Sequence, residues 1–248
     1  IYDVPDITPE YRDQLIAEAK LIRALNYFEM MKRYGGMPII RERLQLDDNL
    51  KIPRASVREM LFFILQDIDE AYPALLDNAL QNLRGRVHKG VALALKSKVL
   101  LYAASPLFNT NEPYMDFGTN NNLICLNEPK NMVWWERAAA VADSCIRWAE
   151  TNGCYLITDQ GVDANYQYSW EVYDNPEIIL AEKAAQGMGC WNRPWSGIIP
   201  GSIIAGSSGT NGTTPLLNFV RKYEDRDGNK VEWNGGDDLQ AKLANLDR

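Results

Sequence analysis

Glu18-Ala19-Lys20-Leu21-Ile22-Arg23-Ala24-Leu25-Asn26-Tyr27-Phe28 runs on to Tyr34-Gly35-Gly36-Met37-Pro38. Ala17, Leu21, Ala24, Phe28 and Met31 recur at alternating steps of four and three, the spacing of one buried helical face. Gly35, Gly36 and then Pro38 stop that helix. Downstream, Ser56-Val57-Arg58-Glu59 is a capping box, and Val57, Leu61, Ile64, Ile68, Ala71 and Leu75 form the stripe it opens. Pro73 ends or bends this second helix. A third follows Gly85 to Gly90, with Ala92, Leu95, Val99 and Tyr102 on one side and Ser105-Pro106 as its stop. A fourth runs from about Val133 to Thr151, with Trp135, Ala138, Ala142, Cys145 and Ala149 as its stripe and Asn152-Gly153 as its end. This reading puts Trp135 in the core. Alanine at the contacts lets neighbouring helices approach closely. Residues 1–155 are therefore expected to form antiparallel, tetratricopeptide-like helical pairs, although the strict repeat signature is not met.

After Tyr155 the helical period fades and Gly, Pro, Asn, Ser and Trp rise. Glu177-Ile178-Ile179-Leu180-Ala181 reads as a strand or buried extended segment. Gly201 to Pro215 reads as a loop, and Asp227-Gly228 as a hairpin turn. The expected fold is all-α: a helical region over 1–155, then a loop-rich lobe with short strands over 156–248. Long ordered loops on a helical scaffold carry function, so the lobe is the expected ligand-binding part.

Composition narrows the function. The 248 residues carry a formal net charge of −7 with one histidine. Such a surface repels nucleic acid and anionic lipid. No apolar run of about 20 residues is present to cross a bilayer. Cys125, Cys145, Cys154 and Cys190 form no C-x-x-C pair, so free, partly buried thiols are expected and no metal or cofactor site. Asp225, Asp227, Asn229 and Glu232 do not follow the EF-hand spacing and read as a solvated turn. His88 precedes a helix without an acidic neighbour and reads as a capping or surface residue. No G-x-S-x-G, H-E-x-x-H or phosphate-loop motif occurs, which disfavours an enzyme.

The opening stretch resembles the "E-A-x-x-L-R-A-x-x-Y-F … Y-G-x-x-P" landmark of the SusD/RagB family, with Ile22 where leucine or phenylalanine is usual. Pro53-Arg54-Ala55-Ser56-Val57 and Asp67-Ile68-Asp69-Glu70-Ala71 are similar to its second helix. Gly85-Arg86-Val87-His88-Lys89-Gly90-Val91-Ala92 with Lys98-Val99-Leu100-Leu101-Tyr102 resembles its "G-R-x-x-K-G-A-A … K-x-x-L-Y" helix. Trp135-Glu136-Arg137-Ala138-Ala139 looks like the next one, and Asn175-Pro176-Glu177-Ile178-Ile179 like the "N-x-E-x-I" segment. The resemblance implies an outer-membrane lipoprotein that binds oligosaccharides, or sometimes peptides, as a lid on a TonB-dependent transporter. It also implies that residues 1–248 are a middle piece. Ile1 stands where a methionine would, and the lipid-anchor segment and most of the carboxy-terminal lobe are expected elsewhere.

Sugar binding needs flat aromatic faces and polar side chains for hydroxyls. Met188 to Gly197 holds the densest such mixture, and the candidate glycan-binding residues are Trp191, Asn192, Arg193, Trp195 and Tyr168. Tyr166, Trp170 and Tyr173 are expected to extend the surface. The alternatives are a helical protein- or peptide-binding adaptor and a glycoside hydrolase, which would need two facing carboxylates. The outward faces of the first two helices, with Arg23, Lys32 and Arg33, are expected nearer the transporter than the ligand.

Overall fold

Helix α1 (Pro9–Tyr34) starts where Thr8 accepts the amide of Tyr11, with Pro9 in the first turn. The computed structural model describes residues 4–45, 47–78, 85–172, 175–181, 222–224 and 228–230. Helices α2 (Val57–Ala71), α3 (Lys89–Ala104), α4 (Val133–Thr151) and α5 (Val162–Glu171) come after it. There are 3-10 turns at Tyr72–Ala74 and Gly118–Leu123. The chain divides into two compact units, Ile1–Lys183 and Ala184–Arg248. In the second, Glu224 and Lys230 form an antiparallel bridge, with Gly228 at φ 79° between them.

The first unit is two helical pairs, α1 on α2 and α3 on α4. The expected α1 and α2 stripes are buried throughout. Ser56 Oγ accepts the Glu59 amide while the Glu59 carboxylate accepts from Ser56 N and Oγ. Pro73 does end α2, in the 3-10 turn.

Charges set the register of the first pair. Arg23 donates from Nε and Nη2 to the two carboxylate oxygens of Asp67, both at 2.7 Å. One turn away Lys20 pairs with Glu70 at 2.7 Å. Rising numbers on α1 meet falling numbers on α2, so the helices are antiparallel. Asp67 is buried, and the planar guanidinium fork is what makes that tolerable. Glu18, also buried, accepts from Arg86 Nε and Nη2 and from Gln14. Arg23 is thus an inter-helix strut rather than an outward cation. Lys32 lies over the Phe28 ring and pairs with Glu29.

The end of α1 is closed by close backbone approach. Gly35 has φ 70°, and a Cβ there would sit 2.0 Å from the Leu123 carbonyl oxygen. A Cβ on Gly36 would sit 2.0 Å from that of Ala55. Gly36 N instead donates to Leu123 O at 2.7 Å. Arg54 donates from Nε to Gly36 O and from Nη2 to Tyr34 O, taking up carbonyls that the helix end leaves unpaired.

Three expectations are corrected. On α4 the buried tryptophans are Trp134 and Trp148, with Ala138 between; Trp135 is 37% exposed against 6% for Trp134. Burying both indoles outweighs the stripe of Trp135, Ala138, Ala142, Cys145 and Ala149, of which only Ala138 is fully buried, so Trp134 rather than Trp135 turns inward. His88 does hold the N-cap position of α3, but its side chain makes no capping hydrogen bond and is not at the surface, being 2% exposed. Its ring stacks on Trp148 with centroids 5.2 Å apart, and Nε2 faces the Ile179 carbonyl at 3.1 Å. Glu177–Ala181 is no strand, and the described residues contain none. The segment is held by side chains instead. Asn175 donates to Ser169 O and Val172 O and accepts the Glu177 amide, while Glu177 Oε1 accepts the Ile157 amide at 2.8 Å. Tyr102 is a smaller departure: it is partly exposed but still meets Phe28 edge-to-face.

Trp148 donates from Nε1 to Asp77 O at 2.9 Å, so its ring is fixed. A Cβ on Gly90 would fall 2.2 Å from that ring. Helix propensity favours alanine over glycine by about 1 kcal/mol, but forcing a fixed ring aside costs ~1–3 kcal/mol or more. Gly90→Ala is therefore expected to destabilise the fold by a net kcal/mol or so in urea unfolding, where propensity alone gives the opposite sign.

Burial lowers the His88 pKa, with the Ile179 hydrogen bond a smaller opposing effect. The unfolded chain binds this proton at about 6.5. The neutral ring's stabilisation is complete above that value and is lost as pH falls below it toward the depressed folded value. The urea midpoint is expected to drop between pH 8 and pH 5, and to drop less in His88→Gln. Equal slopes in the two proteins would refute this.

Candidate functional site

Helix α5 arises where the sequence reading expects fading helical order. Gly161 opens it, and Asn165 Oδ1 accepts the Gln160 amide at 3.0 Å in its first turn. Tyr166 and Trp170, four apart, share a face. Their rings meet edge-to-face with centroids 6.2 Å apart, and they are 74% and 75% exposed. Beside them Gln167 Nε2 donates to Glu171 Oε1 at 2.7 Å. The pair is a presented aromatic surface with amide and carboxylate groups at its edge.

The helix is anchored at its far end. Asn175 takes up its terminal carbonyls, and Tyr155 N donates to Pro176 O at 3.2 Å. Ile179 packs on the core, and its carbonyl meets His88. The aromatic surface is thereby tied to α3 and α4 within the same unit.

Tyr168, the expected member of the binding set, is half-buried on α5, less open than its neighbours Tyr166 and Trp170. Trp191, Asn192, Arg193 and Trp195 lie outside the described residues, as does Tyr173. The exposed pair is legible in sequence as an i, i+4 spacing, but only once 162–171 is read as a helix.

Cys125 is buried and Cys145 and Cys154 half-buried, all as free thiols; Cys190 lies outside the described residues. Burial raises the pKa of Cys145 and of Cys154, so neither is a thiolate near neutrality. Among the described residues no three His, Cys, Asp or Glu side chains group as metal ligands, and no helix is long and apolar enough to cross a membrane.

The model of a family described as starch-binding and associating with the outer membrane, SusD-like_3, matches residues 3–101. Over that stretch the chain is similar to SusD-like proteins. The solved structure of a SusD-like protein from Bacteroides fragilis superposes with a TM-score of 0.71 over 97% of this chain and 42% of that one, at 23% identity. That likeness gives the fold: all-α, with tetratricopeptide-like pairs. A laminarin-binding SusD-like protein aligns over 72% of this chain and 32% of its own, with a TM-score of 0.52 and 25% identity. SusD-like protein P38 of Formosa agariphila is 38% identical over 72 residues, 29% of this chain and 14% of that protein. The chain spans less than half the length of these solved structures.

The SusD-like landmarks are contacts rather than labels. Glu18 and Arg23 of the first meet Arg86 of the third and Asp67 of the second. Arg54 of the second closes Tyr34-Gly35-Gly36 of the first. Asn175, Glu177 and Ile179 hold α5, residues 155–157 and His88 together. Ile22, the departure from the pattern, is exposed and alters none of this.

Trp170→Ala and Tyr166→Ala are each expected to change unfolding free energy by less than about 0.5 kcal/mol, as surface substitutions do. Trp148→Ala is expected to cost ~3–5 kcal/mol. A loss of several kcal/mol in Trp170→Ala would mean that its ring is packed rather than presented.

Proposed function

We propose that this chain is part of a cell-surface protein that binds oligosaccharides without converting them and delivers them to a TonB-dependent outer-membrane transporter. The observation that carries the reading is the Tyr166–Trp170 surface: two exposed rings on an anchored helix, with Gln167 and Glu171 beside them. Pyranose rings stack their apolar faces on such rings and hydrogen-bond outward through their hydroxyls. The family description and the laminarin-binding relative support the ligand class. The family description also supports a place at the outer membrane, where a lipid anchor would hold the protein. In this reading residues 156–248 are the ligand-binding lobe. Trp191, Asn192, Arg193, Trp195 and Tyr168 are its candidate glycan-binding residues by residue type.

The reading is tested by affinity electrophoresis in laminarin, starch and a panel of plant, host and microbial glycans. Retardation by at least one glycan is expected. Trp170→Ala, Trp191→Ala and Trp195→Ala are each expected to weaken it about ten-fold, a 1.4 kcal/mol effect. Retardation that survives all three substitutions would remove the lobe as the site. Migration unchanged by every glycan would sink the carbohydrate reading in favour of a peptide ligand.

A further inference from the structure

Arg54 lines two clefts at once. One, of about 450 Å³, lies between Tyr34 and Phe117, with Arg33 and Asn120 on its walls. The other, of about 560 Å³, is lined by Arg41, Arg58, Phe62 and Phe63 among others. Each falls within the roughly 300–1,000 Å³ usual for small-ligand sites. Four guanidinium groups thus border these two clefts, which meet at Arg54 and are together called the groove, in a chain whose net charge is −7.

The charge in this groove is only partly balanced. Arg33 pairs with Glu29, and Arg58 with Glu128. The one carboxylate in either lining, Glu59, is engaged by Ser56. Arg54 donates only to neutral carbonyls, and Arg41 rests over the Phe63 ring, 4.7 Å from its centroid. Among the described residues neither Arg41 nor Arg54 has a carboxylate partner. Four cations against Glu29, Glu128 and Glu59 leave a positive balance.

The aromatic walls are exposed, and the backbone that carries Tyr34 and Phe117 is held in place. Tyr34, Phe62 and Phe117 are all exposed. Phe117 is set by its loop: its amide donates to Asn121 Oδ1 at 2.7 Å, while Asp116 Oδ1 accepts from Gly118 N and Asn121 Nδ2. Tyr34 is set by the Gly35–Leu123 and Arg54 contacts. The Asn120 side chain makes no hydrogen bond within the described residues. Rings, a free amide and guanidinium groups without carboxylate partners are the donor set for a sugar carrying an anion. Guanidinium forks take up carboxylate or sulfate in two-point contacts, and flat rings take the pyranose face.

We propose that this groove is a second carbohydrate-contact site, on the helical half of the chain, for saccharides bearing carboxylate or sulfate groups. It rests on the glycan-binding reading for the class of ligand and not for its place.

The test is calorimetric titration of the chain with polygalacturonate, chondroitin sulfate, uncharged dextran and polyglutamate. The variants are Arg41→Gln, Phe117→Ala and Trp170→Ala, with unfolding midpoints as the control for folding. At least one anionic polysaccharide is expected to bind. Arg41→Gln and Phe117→Ala should each weaken it about ten-fold or more, while Trp170→Ala leaves it within a factor of two. Dextran and polyglutamate should bind at least ten-fold more weakly. Equal binding of polyglutamate would make the groove an acidic-peptide site and overturn the proposal. Binding lost in Trp170→Ala but kept in the other two would overturn it while sparing the α5 site. Binding of no anionic saccharide would overturn it whatever neutral glycans do at α5.

Discussion

Two adjacent glycines let three stretches of backbone share the space at the end of α1. The carbonyls of Leu123 and Ala55 occupy the positions that side-chain carbons on Gly35 and Gly36 would take. The amide of Gly36 and the guanidinium of Arg54 then satisfy groups that the helix end leaves open. This close approach fixes where α2 begins relative to α1 and where the 117–124 loop lies. It thereby sets the backbone positions of Tyr34, Arg54 and Phe117, which line the groove. Any side chain larger than hydrogen at these two positions would separate the segments and open the groove together with the core.

The second pair of helices is joined to residues 175–181 by equally few atoms. Trp148 covers Gly90 and stacks on His88, and His88 holds the Ile179 carbonyl. With Nε2 donating to that carbonyl, the neutral ring leaves Nδ1 buried without a partner. Protonation would place a charge in this buried site, which burial opposes more strongly than the Ile179 hydrogen bond favours it. Through Ile179, Glu177 and Asn175 the same contact orients α5 and the two exposed rings upon it. The aromatic surface is presented by a loop-borne helix yet is anchored to the packed core.

The partly buried ion pairs Arg23–Asp67 and Glu18–Arg86 add little net stability, because desolvation offsets their attraction, and the exposed Lys20–Glu70 adds little because solvent screens it. Their value here is register. Arg23–Asp67 and Lys20–Glu70 are one turn apart and admit only one antiparallel alignment of α1 on α2, and Glu18–Arg86 fixes α1 against the start of α3.

The amino-acid sequence by itself determined the four helices of the first 155 residues, their stops, the capping box and the buried stripes of α1 and α2. These depend on spacing within one turn or two, which is local. It also carried the family resemblance, because Glu18, Arg23, Asp67 and Arg86 are readable as residue types. Only the tertiary structure decided which of them meet. It decided the rotation of α4, where Trp134 rather than Trp135 turns inward, since two indoles fourteen residues apart compete with a nearer alanine row. It decided that His88 is buried, because the carbonyl that engages it lies 91 residues away. It decided that 175–181 is held by side chains and not by a ladder. And it showed α5, whose weak periodicity is stabilised at its end by Asn175, so that Tyr166 and Trp170 face outward together. Long-range partners leave no trace in local spacing, and that is where sequence reading stops.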